Sequence, residues 1–409
     1  MSKTDSTQLM VTADPLAVYI AVKSFKNRLS RFVDNFFLGI HSWHYGNPHS
    51  PGNPETHQLE EMHEFFNRLE QTTDNVRFVY PEEGTTQHGT MLNELVKATY
   101  DDCKSNLLIT ETDDFFVSEE VLENHIAALN RGDYDFVGEG RGCTNNQLLL
   151  DFEKNVCEED KVFVNAGEDP MIGQQCHYWP THFLIKKKFV NKDDRFEAFG
   201  EGKDQYDLLG NIVNRKNLLY RGREFYIENT VGDTFVNFSM NMMSRINRGY
   251  DFKPFPLPPA KDHDHLYFLT SGLVNTYNYQ IPEHMMDLAF KQFSLHTGSG
   301  SSLMMFPIVS GDKLLEQAIF RQIREMKQNN DSWGLIELYR RTHLYRAGFE
   351  AVKDDEEFSI FRERCETGFA ELDKLFKEVD VDGYLKEREN WLLPIDIYID
   401  TFKRIVGKI

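Results

Sequence analysis

The 409-residue sequence has few cysteines, no long apolar run and no excess of positive charge. Its five cysteines are odd in number and widely spaced, and none belongs to a Cys-x-x-Cys pair. This usage argues against a disulfide framework or a zinc ribbon, and it indicates a reducing compartment such as the cytoplasm. No apolar stretch approaches the roughly 18 residues of a membrane helix, so we expect no membrane span.

The charge balance limits the partners that the protein can bind tightly. Acidic residues number 65 against 45 lysines and arginines, which gives a net charge of −20. An acidic surface repels phosphate backbones, so we expect nucleic acid at most as a substrate. A small phosphorylated ligand can still bind in a local basic pocket. The hydrophobic content of 40% is typical of a globular protein, and the length predicts two or three domains.

Apolar patterning predicts strands that alternate with helices over the first half of the chain. The run Leu16–Val22 is apolar and β-branched and predicts a buried strand, and the polar residues 1–14 before it predict a flexible leader. Amphipathic helices are predicted over Gln58–Gln71 and Thr90–Cys103, and a strand over Asn106–Ile109. Such alternation is typical of an α/β fold with a mostly parallel sheet, which binds ligands beyond the carboxyl ends of its strands.

The second half of the chain has a different character. The α/β pattern extends over residues 15–245, which we interpret as a catalytic domain. Residues 246–310 contain a proline-rich and a glycine–serine segment and are predicted to be a linker or extension. Residues 311–409 predict an α-helical C-terminal domain that packs on the catalytic domain or presents an acceptor.

Three carboxylates, Glu111, Asp113 and Asp114, follow the strand predicted at Asn106–Ile109. Because side chains alternate along an extended chain, Glu111 and Asp113 can point to one position beyond the strand end. Two like charges so close repel unless a cation lies between them. A hard divalent ion with oxygen ligands, accompanied by a diphosphate, fits this position. The alternative is a solvated acidic turn before the helix predicted to start near Ser118.

The order of these segments resembles the family-2 glycosyltransferases over roughly residues 15–240. Residues 20–29 look like that family's first strand and nucleotide-contacting turn, and residues 88–98 are similar to the helix before its metal motif. Residues 107–114 resemble the metal-binding DxD segment, with Glu in the first place. Residues 196–208 resemble the segment that carries the catalytic base.

The resemblance implies a GT-A (Rossmann-like) fold and an inverting transfer of a single hexosyl or pentosyl group from a UDP- or GDP-sugar, with Mn²⁺ or Mg²⁺ as cofactor. It implies metal binding by Glu111, Asp113 and Asp114, and a catalytic base at Asp204 or the nearby Glu201. The acceptor would be a glycan, a protein or a small molecule. The resemblance further implies nucleotide contacts from Lys23, Asn27, Arg28, Asn93 and Lys186, and one more metal ligand from Asp233, His263 or His265.

Other functions remain open at this point. The acceptor could be a modified nucleobase in DNA, although the acidic surface disfavours it. A nucleotidyltransferase on a similar sheet usually has a glycine-rich basic loop after its first strand, and residues 23–28 contain no glycine. A non-catalytic sugar-nucleotide-binding protein is disfavoured by the presence of Glu111, Asp113 and Asp204 together.

Overall fold

The structure, a computed structural model, describes the larger part of the first 137 residues, short segments between residues 163 and 309, and the C-terminal helices up to residue 387. The described residues are 5–12, 14–40, 56–80, 88–111, 114–116, 119–132, 135–137, 163–165, 183–196, 205–206, 212–214, 218–220, 223–228, 238, 294–296, 308–309 and 313–387.

A six-stranded sheet forms the centre of the described fold. Its strands are, in chain order, β1 (Ser6–Thr12), β2 (Asn35–Ile40), β3 (Val76–Val79), β4 (Asn106–Thr110), β6 (Phe136–Val137) and β8 (Phe183–Lys186). The strand order is β3-β2-β1-β4-β8-β6. Strands β1 to β4 are mutually parallel, and β8 runs antiparallel to both of its neighbours. The prediction of an α/β fold with a mostly parallel sheet is confirmed.

Helices cover the sheet and continue beyond it. They are α1 (Pro15–Ser24), α2 (Thr56–Thr72), α3 (His88–Thr99), α4 (Glu119–Arg131), α5 (Lys313–Gln328), α6 (Ser332–Val352), α7 (Arg362–Glu378) and α8 (Val381–Glu387). A π-helical turn, Phe25–Leu29, extends α1. None of the described helices is both long enough and apolar enough to cross a membrane.

Short strands lie outside the main sheet and form three small sheets. They are β5 (Asp114–Phe116), β7 (Phe163–Asn165), β9 (Gln205–Tyr206), β10 (Ile212–Asn214), β11 (Leu218–Tyr220), β12 (Arg223–Glu228) and β13 (Ser294–His296). Strand β9 pairs with β10, β12 pairs with β11 and β7, and β5 pairs with β13.

The flexible leader predicted for residues 1–14 is wrong over Ser6–Thr12, because this segment is the buried central strand β1. The segment is polar in composition, but its polar side chains find partners inside the fold. The Thr7 hydroxyl accepts a hydrogen bond from the backbone N–H of Lys104 at 2.9 Å, and Gln8 Nε2 donates to Thr110 Oγ1 at 3.0 Å. These bonds offset the cost of burying polar groups in the sheet.

The strand predicted over Leu16–Val22 is also wrong, because these residues form helix α1. Asp14 caps the helix: its Oδ1 accepts from the backbone N–H of Leu16 at 2.8 Å, and Pro15 takes the first helical position. All seven residues from Leu16 to Val22 are buried. A helix that is apolar on every side has no amphipathic period, so its apolar run resembles a strand in the sequence.

The C-terminal helices share a hydrophobic core with α1 and α2. Tyr19 of α1 stacks on Phe358 with ring centroids 5.5 Å apart, and Phe65 of α2 meets Phe361 edge-on at 5.0 Å. Helices α5 to α8 occupy most of residues 313–387, and residues 388–409 lie outside the described part. These helices therefore extend the core of the sheet domain.

The other face of the sheet packs against α3 in a second core. Gly39 of β2 lets this helix approach closely, because a Cβ added there would lie 3.1 Å from the Met91 side chain. The described residues thus form helix layers on both faces of the sheet. Because both faces are covered, a ligand is expected at the ends of the strands.

Candidate functional site at the carboxyl ends of the parallel strands

The strand order of the main sheet changes direction between β1 and β4. After β1 the chain builds β2 and then β3 on one side, and it then crosses to form β4 on the other side of β1. In open α/β sheets, ligands bind in the crevice outside the carboxyl ends of the strands at such a switch point. The two strands that border this crevice end at Thr12 and Thr110.

Glu111 lies at this crevice because it directly follows β4. Its neighbour Thr110 is buried and fixed by the hydrogen bond from Gln8 Nε2, so the backbone that leads to Glu111 is anchored to β1. The side chain of Glu111 is partly exposed. The strand prediction for residues 106–109 is confirmed, and the structure places the first of the three carboxylates where a ligand is expected.

The acidic segment continues into strand β5, which begins at Asp114 and pairs antiparallel with β13. In this ladder His296 lies opposite Asp114, and Ser294 lies opposite Phe116. Residues 246–310, predicted to be a linker or extension, include the strand Ser294–His296. Sequence reasoning missed His296, since no local motif connects a histidine near the glycine–serine segment to a strand so distant in the chain.

Asp14, which follows β1 and caps α1, lies at the same end of the sheet. The residue is 2% exposed, and its Oδ1 accepts a hydrogen bond from the Tyr345 hydroxyl at 2.5 Å. Burial raises the pKa of the Asp14 carboxyl from 3.8 to about 7, while the bonds from Tyr345 and the α1 backbone partly oppose this rise. Asp14 is therefore a buried ionisable group at the edge of the crevice, and its burial favours the neutral form.

Three of the predicted nucleotide contacts, Lys23, Asn27 and Arg28, do not reach this crevice. Helix α1 begins at the carboxyl end of β1 and runs back along the sheet. By Asp34 the chain has reached the amino end of β1, because the backbone N–H of Asp34 donates to the carbonyl of Ser6, the first residue of that strand, at 2.9 Å. The residues between therefore lie toward the amino ends of the strands. The structure therefore does not bring these three residues together with Glu111.

Lys23 and Arg28 have structural roles in this position. The Lys23 ammonium pairs with Asp355 Oδ2 at 2.6 Å and so joins α1 to the segment before α7. The Arg28 side chain is buried, and this burial lowers the pKa of its guanidinium. Because residues 20–24 belong to α1 and 25–29 to the π-helical turn, the first motif of the family resemblance has no strand to support it.

Lys186 also lies at the wrong end of the sheet for the predicted phosphate contact. It pairs with Asn106, the first residue of β4, so it is separated from Glu111 by about 16 Å of strand. Its ammonium pairs with Asp135 Oδ1 at 2.8 Å, and its backbone N–H donates to the Asp135 carbonyl at 3.0 Å. Lys186 therefore neutralises a buried carboxylate.

Asn93 anchors a neighbouring segment, since its Oδ1 accepts a hydrogen bond from the backbone N–H of Phe196 at 2.6 Å. Phe196 is buried and stacks on Phe238 with ring centroids 4.5 Å apart. Asn93 thus fixes the backbone of Phe196, the first residue of the segment predicted to carry the catalytic base.

Several predicted site residues lie outside the described residues: both candidate bases of this segment, three of the predicted metal ligands and Asp113. The residues concerned are Glu201, Asp204, Asp233, His263, His265 and Asp113.

Oxygen ligands of the kind that hard divalent ions prefer are present at the crevice in Glu111 and at the start of β5 in Asp114. Within the part of the chain that the structure describes, no three His, Cys, Asp or Glu side chains form a group that could hold a metal ion. Asp113, between the two acids, is not among those residues. Carboxylate oxygens are the ligand type that Mn²⁺ or Mg²⁺ prefers, and the described residues alone do not bring three of them together.

No protein-family model matches the chain, and no curated protein is similar to it at a significant level. The function must therefore be argued from the chemistry and position of the site.

Proposed function

We propose that the protein is a metal-dependent glycosyltransferase that moves one sugar from a UDP- or GDP-sugar to an acceptor hydroxyl, with inversion at the anomeric carbon. The observation that carries this proposal is the position of Glu111, directly after the strand that borders the switch point of the sheet. Ligands of open α/β sheets bind at such a switch point, which favours a ligand-binding role for Glu111 over a solvated acidic turn.

The fold supports the proposal at a coarse level. A mostly parallel sheet with helices on both faces is consistent with the Rossmann-like GT-A fold that the family resemblance implies. The segment Leu107–Asp114 retains its place in that resemblance, because residues 107–110 form a strand and Glu111 follows it. The family resemblance is supported by this segment and not by residues 20–29, because the resemblance requires a strand there and these residues are helical.

The proposed chemistry assigns a role to each carboxylate. Glu111 and Asp113 would hold a divalent ion, and Asp114 would support it from the start of β5. When bound, the ion supplies positive charge that neutralises the diphosphate leaving group. Asp204, or Glu201, would take the proton of the acceptor hydroxyl as it attacks the sugar from the opposite side.

Two described residues would position this machinery. Asn93 holds the backbone of Phe196, from which the chain leads to Glu201 and Asp204. His296 lies opposite Asp114 in the register of the β5–β13 ladder. We therefore add His296 to the candidates for the further metal ligand, beside Asp233, His263 and His265.

Release of nucleoside diphosphate from a panel of UDP- and GDP-sugars, with glycan, peptide and hydroxylated small-molecule acceptors and with Mn²⁺, tests the proposal. We expect one donor to be turned over by the wild type and the Glu111→Gln variant to be about 10²-fold slower. Glu123→Gln is the matched control, because Glu123 is an exposed acid on α4. Equal turnover by all three proteins would contradict the assignment of Glu111. Metal-dependent nucleotide binding without release from any donor would favour a non-catalytic binding protein.

A further inference from the structure

A buried carboxyl group joins α1 to the C-terminal helices. Asp14 is 2% exposed, and the Tyr345 hydroxyl of α6 donates to its Oδ1 at 2.5 Å. The other oxygen, Oδ2, is buried and has no hydrogen-bond partner among the described residues. Cys365 of α7, which is 0% exposed, lies close enough to interact electrostatically with this carboxyl. An ionisable group with an unsatisfied oxygen therefore sits inside the contact between two parts of the fold.

We propose that Asp14 and Tyr345 form a pH-sensitive latch that holds helices α6 and α7 against α1 while Asp14 is protonated, and that releases them as Asp14 loses its proton. A neutral carboxyl is tolerated among apolar side chains, whereas a buried carboxylate with one oxygen unsatisfied costs much more free energy. Tyr345 of α6 and Cys365 of α7 cover the carboxyl, so moving these helices away from α1 exposes Asp14 to water and ionisation favours the separated arrangement.

The charged surroundings of Asp14 do not oppose this behaviour. Among the described residues, the titratable groups that face it are Tyr345 from α6 and Cys365 from α7, and burial raises the pKa of both, so both are neutral at physiological pH. The charged residue of its own helix, Lys23, is at the far end and pairs with Asp355. Two backbone N–H groups at the start of α1 stabilise the carboxylate only in part.

The latch is at a position where it can affect the crevice. Asp14 directly follows the carboxyl end of β1 and fixes the first turn of α1 through its bonds to Leu16 and Ala17. Movement of α6 away from Asp14 therefore loosens the helix start that borders the switch point. This inference does not rest on the proposed glycosyl transfer, and it holds for any ligand that the crevice binds.

Pulse labelling of Cys365 with N-ethylmaleimide, quantified by mass spectrometry, measures the separation directly. Cys365 is a free thiol inside the C-terminal helices, and Cys103, a buried free thiol in the other core, serves as the internal reference. Asp14→Asn is the matched variant, because asparagine caps helices as well as aspartate and keeps the oxygen that accepts from Tyr345, but it cannot ionise. Comparing the two proteins at each pH cancels the pH dependence of thiol chemistry.

We expect Cys365 labelling of the wild type, relative to Asp14→Asn, to rise on the order of a hundredfold between pH 5 and pH 8, while Cys103 labelling stays equal in the two proteins. In Tyr345→Phe the rise should move to higher pH, because the carboxylate loses a donor that stabilises it. A labelling ratio that does not change with pH would overturn the proposal. An unshifted profile in Tyr345→Phe would overturn it as well, by excluding Tyr345 as the latch partner.

Discussion

Lys186 and Asn106 are paired residues on the antiparallel strands β8 and β4, and their pairing sets Lys186 at the opposite end of β4 from Glu111. A lysine that the family resemblance assigns to nucleotide binding therefore forms an ion pair with the buried Asp135, which is 4% exposed. The same sheet geometry that supports Glu111 as a site residue excludes Lys186 from the site.

Replacing Lys186 should affect stability and leave ligand binding unchanged. We expect Lys186→Met to lower the free energy of unfolding by about 2–3 kcal/mol, because it leaves the Asp135 carboxylate buried without its nearest cation. Nucleotide affinity should stay within twofold of the wild type. Urea unfolding and isothermal titration measure the two quantities, with the exposed Lys97→Met as control. A large loss of nucleotide affinity with unchanged stability would contradict this assignment.

Replacing His296 should affect metal binding, unlike the replacement of Lys186. Because it lies opposite Asp114 in the β5–β13 ladder, we expect His296→Gln to weaken Mn²⁺ binding about tenfold or more. Ser294→Ala, in the same strand, controls for any disturbance of the strand itself. Titration of Mn²⁺ into each protein in the presence of nucleotide distinguishes the variants. Equal affinity in His296→Gln and the wild type would remove His296 from the proposed ligand set.

Local spacing was enough to predict part of the site. The strand at residues 106–109 and the carboxylates after it form one continuous segment, so the position of Glu111 could be predicted without knowledge of the rest of the fold. The pairing of Asp114 with His296 could not, because it depends on two strands that are far apart in the chain.

The misassigned elements have identifiable physical causes. Helix α1 is buried on every side, so its residues lack the periodicity that distinguishes a helix from a strand. The Asp14–Pro15 pair is a sequence signal for a helix start, because aspartate is a favoured N-cap and proline a favoured first residue. Strand β1 is rich in polar residues whose partners, such as Thr110 for Gln8, come from a distant strand, so its burial is not visible in its composition.

His125 predicts a loss of stability in acid. Burial lowers the pKa of its imidazole from 6.5 to about 4, so the folded protein binds this proton less readily than the unfolded chain. As the pH falls from about 6.5 to about 4, the unfolded state takes up more protons and the folded state loses stability. We expect the wild type to lose about 2 kcal/mol more than His125→Gln between pH 7 and pH 4.5 in urea unfolding. Parallel losses in the two proteins would contradict this expectation.

Gly368 of α7 tests the packing of residues 308–309 against the C-terminal helices. A Cβ added at Gly368 would collide with the Ile308 side chain, so Gly368→Ala should destabilise the protein by about 2 kcal/mol, although alanine is the better helix former. Combining it with Ile308→Ala should cost less than the sum of the two single changes, and a double-mutant cycle by urea unfolding measures this difference. Additive effects would show that the two residues do not touch.

Electron paramagnetic resonance of free Mn²⁺, titrated into the protein with UDP or GDP present, tests the metal–diphosphate site. We expect the wild type to bind Mn²⁺ together with one of these nucleotides, Glu111→Gln to bind it at least tenfold more weakly, and the exposed Glu123→Gln to behave as the wild type. Equal Mn²⁺ binding by Glu111→Gln and wild type, or no nucleotide-dependent binding by the wild type, would contradict a metal–diphosphate site at the carboxyl end of β4.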